Sequence, residues 1–139
     1  MAVWAALIWS LSTDAFSGDG TGRFLTPVLE ILLPGASPDT IGIAHAVVRK
    51  LAHVTEYAIL AVLLLRALYD PERQSRPVAL SAVALCALYA VTDEFHQSFV
   101  ASRTAAVSDV LLDTVGAAVG AGLASWAGRS FSSGRRSPA

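Results

Sequence analysis

From Pro77 to Thr92 the chain carries no Asp, Glu, Lys or Arg. A helix of about 20 mostly apolar residues is what it takes to cross the hydrocarbon core of a bilayer, so a run like this constrains the fold more than any other feature. Two further runs resemble it. Leu51 to Tyr69 is broken by His53 and Glu56 near its start and Arg66 near its end, and Val107 to Gly128 carries only Asp109 and Asp113 near its start. Only 15% of the 139 residues are charged, against roughly a quarter in soluble domains, and mean hydropathy is +0.55. A net charge of -1 supplies no basic field for a polyanion, so nucleic acid is excluded as a partner. The length fits one domain, 1–139, with a basic tail over about 129–139. The single cysteine, Cys86, sits in the uncharged run and forms neither an intrachain disulfide nor a cysteine metal cluster.

The chain therefore reads as an all-α polytopic membrane bundle of about four transmembrane helices. Met1 to Thr13 supplies the first, short of full length, with a cleaved signal as the alternative. Residues 14–23 read as exposed turn. Phe24 to Leu33, which holds Pro27 and Glu30 and is bounded by Pro34-Gly35, is too short and broken to span and reads as an interfacial or re-entrant segment. Thr40 is the expected cap of a helix starting at Ile41. Trp4, Trp9 and Trp126 read as interface anchors, and His45 as an interface residue.

Charge sets the orientation. Six basic residues (Arg66, Arg73, Arg76, Arg129, Arg135, Arg136) fall on the side of the 70–77 loop and the tail, and four (Arg23, Arg49, Lys50, Arg103) on the other. The positive-inside rule places the loop and the C-terminus in the cytoplasm. Nine of the eleven acids lie on the opposite side. Four of those nine (Glu56, Asp93, Asp109, Asp113) mark the extracytoplasmic ends of apolar spans.

Helical spacing gives these residues a common direction. Lys50, His53, Glu56 and Tyr57 stack along one face; Asp93 and Gln97 are i, i+4 neighbours beside Glu94; and Asp109, Asp113, Gly116 and Gly120 form one stripe. Gly116 to Gly120 is a GxxxG whose missing side chains let another helix approach. Intramembrane charges are costly unless paired or facing a polar interior, so Lys50, His53, Glu56, Tyr57, Asp93, Glu94, Gln97, Arg103, Asp109 and Asp113 form a candidate ligand-binding cluster. The bland alternative is an ion-pair network that fixes helix packing. His53, Glu56, Asp93 and Asp109 are weak candidates for a divalent metal, and no cofactor is otherwise expected. Neither a nucleophile elbow nor a phosphate loop is present.

The blocks Arg49-Lys50-Leu-Ala-His53-Val-Thr-Glu56-Tyr57, Asp93-Glu94-Phe-His-Gln97, Arg103 and Asp109-Val-Leu-Leu-Asp113-Thr-Val-Gly116, in this order, resemble the VanZ-like family of small bacterial integral membrane proteins, and Trp9-Ser-Leu-Ser12-Thr13 is similar to the end of that family's first helix. The resemblance implies a four-helix protein of the cytoplasmic (inner) membrane and a link to low-level teicoplanin resistance, with no established reaction. The chain departs from the pattern in having Ala101-Ser102 where Pro-Gly is common and Asp113 where Asn is common. The expected ligand is a lipid-linked or lipidated molecule of the cell envelope. A membrane enzyme acting on an envelope lipid and a structural packing factor are the alternatives, and a homo-oligomer is left open.

Overall fold

The computed structural model describes residues 1–12, 18–68, 76–99 and 106–133. These form five helices: α1 (Ala2–Leu11), α2 (Gly18–Leu32), α3 (Pro38–Ala67), α4 (Arg76–Gln97) and α5 (Val107–Ser133). Among the described residues there is no strand. By length and composition α4, over Val78–Gln97, and α5, over Val107–Gly128, suffice to cross a membrane. With 30 residues α3 is about 45 Å long, more than a hydrocarbon core, although it carries more charged residues than either.

The distribution of side-chain size identifies the solvent. Small residues fill the interior, with Ala61, Ala82, Cys86, Ala90, Ala117 and Ala121 all buried beside Tyr57 and Ile8. Large apolar residues point outward: Leu88, Val91 and Phe95 on α4, and Leu111, Val115, Val119 and Leu123 on α5. Water would penalise that arrangement, whereas lipid tails do not, and small interior residues are what close helix packing in a membrane requires.

Contacts between helices fix the directions. Lys50 meets Asp109, His53 meets Asp113, and the backbone at Val54 and Ala58 lies against Gly116 and Gly120, so α3 and α5 run parallel. A Cβ placed on Gly116 would sit 2.5 Å from the Val54 carbonyl oxygen, and one on Gly120 would come closer still to that of Ala58. α1 is tied in by two aromatic donors. Trp4 Nε1 donates to the Glu56 carbonyl (3.0 Å) and Tyr89 Oη to the Ala5 carbonyl (2.6 Å).

Several boundaries differ from the sequence expectation. The helix expected to start at Ile41 starts at Pro38, with Ser37 as its cap: Ser37 Oγ accepts from the Thr40 N–H, Pro38 occupies the first turn and Asp39 meets the positive helix end. Thr40 is thus the capped residue and not the cap. Gly18 to Arg23, expected as turn, belongs to α2 despite three glycines, and residues 13–17 lie outside the described set. Packing against α3 overrides the weak local propensity there, with Gly22 lying beside His45. The turn from α2 into α3 uses Gly35 at φ +81°, a conformation that disfavours any side chain.

Candidate functional site

Two rungs join α3 to α5 at the end where α3 carries its polar face. The outer one is Lys50 Nζ to Asp109 Oδ1 at 2.6 Å, with both side chains partly exposed. One turn deeper, His53 Nδ1 lies 3.5 Å from Asp113 Oδ1, and Asp113 is fully buried. Asp113 sits six residues into α5, about 9 Å along its axis, which is membrane depth for a helix that spans. The outer rung is a surface ion pair and should be weak. A double-mutant cycle with Lys50→Met and Asp109→Asn is expected to give a coupling of about 0.2–1 kcal/mol that shrinks with added salt.

α1 and α4 complete the cluster. Asp93 Oδ2 accepts from Ser12 Oγ (2.8 Å) and from Gln97 Nε2 (3.0 Å), and Gln97 also reaches Ser12 Oγ at 3.3 Å. Asp93, Gln97 and Ser12 are all buried. Asp93 lies within electrostatic range of both His53 and Asp113, and Tyr57 within range of Asp93 and Asp113. Three polar atoms in this closed space have no hydrogen-bond partner, Asp93 Oδ1, Asp113 Oδ2 and Tyr57 Oη, while Asp113 Oδ1 faces the His53 ring at 3.5 Å. Buried polar groups are nearly always satisfied, so three such atoms together need an explanation.

The other sequence candidates take varied places. Glu94 Oε2 accepts from the Ala106 N–H at 2.9 Å, fastening the chain where it enters α5. Glu56 is half-buried, and its backbone carbonyl takes the Trp4 indole. Arg103 lies outside the described residues. Tyr57, Asp93, Gln97, His53 and Asp113 are thus brought together, while Lys50 and Asp109 sit at the rim. The cluster is packed, with Tyr57 and Asp113 at 0% and Asp93 at 1% exposure, where the sequence suggested an open pocket. Among the described residues no three His, Cys, Asp or Glu side chains are placed to hold a metal ion, so His53, Glu56, Asp93 and Asp109 are not gathered round one point.

Three contacts had no reading from spacing. Ser12 enters the cluster from the end of α1, a position whose only sequence signal is the family-like Ser-Leu-Ser12-Thr13 ending. Trp9, expected as an interface anchor, stacks on the His96 ring at 4.0 Å between centroids. Trp4, expected likewise, is half-buried and spends its N–H inside the bundle.

Fold and site together define a small helical membrane protein with a polar cluster buried among apolar helices. The chain belongs to the VanZ/LLP1 family, whose model matches residues 1–128. No curated protein and no solved structure matches it.

Proposed function

We propose that this protein is a multi-pass protein of the bacterial cytoplasmic membrane whose polar cluster, at the extracytoplasmic ends of α3, α4 and α5, recognises the polar head group of a lipid-linked or lipidated molecule and thereby contributes to glycopeptide tolerance. The supporting observation is the set of unpartnered oxygens on Asp93, Asp113 and Tyr57, held at membrane depth where burial without partners is costly. A packing network selected for stability alone would pair them. A ligand reaches them past the Lys50–Asp109 rung, which is weak enough to open. The excess of basic residues in the 70–77 loop and the tail supports a cytoplasmic C-terminus.

His53→Ala, Glu56→Gln and Asp109→Asn test the reading. Each is expected to lower the teicoplanin concentration that stops growth of a host depending on this protein, with the level of folded protein unchanged. Unchanged tolerance in all three refutes it.

A further inference from the structure

α2 and α3 form a hairpin whose inner walls diverge, leaving a cleft of about 610 Å³. Gly22, Thr26 and Glu30 line it from α2, Leu33 from the turn, and Pro38, Ile41, Gly42 and His45 from α3. The cleft lies toward the start of α3, one to two turns beyond the polar cluster, and shares no lining residue with it.

Helix α2 carries large apolar side chains on the side turned away from α3. Gly22 and Thr26 face the cleft beside the buried Leu29, with Glu30 at its exposed edge, while Phe24, Val28 and Ile31 occupy the opposite side, with Phe24 and Ile31 80% and 78% exposed. At 15 residues, or about 22 Å, it is too short to cross a bilayer. A short helix with its apolar side outward is stable when that side lies in the acyl region at the membrane boundary. The cleft then opens at the level of the lipid head groups.

Its chemistry narrows the occupant. Glu30 is an acceptor, Thr26 a hydroxyl, and His45 Nε2 is buried against Gly22 with no hydrogen-bond partner. Among the described residues neither lysine nor arginine lines the cleft, so there a phosphomonoester or other anionic head group meets a carboxylate and no permanent counter-charge. We infer that the α2–α3 cleft is a binding site for an interfacial lipid whose head group donates hydrogen bonds, through an ammonium or through sugar hydroxyls, with Glu30, Thr26 and His45 receiving it and Leu33 and Ile41 meeting its apolar part.

The test uses the full chain reconstituted in phosphatidylcholine vesicles that contain equal parts of phosphatidylethanolamine, a monoglucosyl diacylglycerol and phosphatidylglycerol, with the lipids retained after extraction measured by native mass spectrometry. Enrichment of the ethanolamine or the glucosyl lipid over phosphatidylglycerol is expected. Gly42→Leu fills the cleft without a clash, since a Cβ there meets nothing within 4 Å, and should lower the enrichment about tenfold with helix content intact. Glu30→Gln separates the two sources, abolishing enrichment of the ethanolamine lipid and sparing that of the glucosyl lipid. Retention matching the vesicle composition, preference for phosphatidylglycerol, or enrichment unaffected by Gly42→Leu overturns the inference. Since none of these residues belongs to the polar cluster, either result leaves the glycopeptide reading to its own test.

Discussion

Gly116→Leu and Gly120→Leu should each prevent accumulation of folded protein. The obstacle at both positions is backbone: the Val54 and Ala58 carbonyl oxygens and α-carbons of α3 occupy the space where a first side-chain carbon would go. A flexible neighbour could swing aside, but here α3 and α5 must separate, and with them the Lys50–Asp109 and His53–Asp113 rungs that the close approach permits. Overpacking against side chains costs about 1–3 kcal/mol, and a rigid partner puts these variants at or above the top of that range. Gly122 and Gly128 provide the internal control, since a Cβ on either meets nothing within 4 Å. Gly122→Ala and Gly128→Ala should be neutral or stabilise by up to about 1 kcal/mol through helix propensity. Thermal unfolding in detergent, followed by circular dichroism, checks both. Equal behaviour of the four glycines would mean that α5 does not pack on α3 through this stripe.

How much of this was legible beforehand follows from what kind of signal each residue carries. The apolar runs around α4 and α5 could be read directly, because a bilayer imposes length and neutrality on the sequence itself. The polar stripe of α3 and the glycine stripe of α5 were legible from helical spacing, yet spacing is silent on which helix faces which, and the parallel α3–α5 register appears only with the fold. The start of α3 was misread because Thr40 and Ser37 are both plausible caps, and Pro38 in the first turn is what selects Ser37. α2 was read too short because glycines at 18, 20 and 22 argue for turn locally, while the contact of Gly22 with His45 is tertiary. Ser12 was the largest omission at the site. A lone serine beyond a short helix has no period to betray it, and its role depends on Trp4 and Tyr89 anchoring α1 so that Ser12 meets Asp93.

Asp93 allows function to be separated from packing. Asp93→Asn is expected to abolish glycopeptide tolerance while leaving the protein as stable as before or more so. An asparagine oxygen can still accept from Ser12 Oγ and Gln97 Nε2, so the contacts that hold α1 to α4 survive. The substitution replaces a carboxyl that lies buried within range of Asp113 by a neutral amide of the same shape. Buried charges kept against such a cost are commonly kept for function, and neutralising them relieves the fold. Asp93→Ala should behave differently. It removes the acceptor of the Ser12 hydroxyl and one of the acceptors of the Gln97 amide and opens a void, at a cost of about 1–3 kcal/mol, so stability and tolerance fall together. The pair is decisive when melting temperature and tolerance are measured on the same two variants. Lost tolerance with preserved stability in Asp93→Asn assigns the carboxylate to recognition. Full tolerance in Asp93→Asn, with loss only in Asp93→Ala, reduces the cluster to a hydrogen-bonded clamp between α1 and α4.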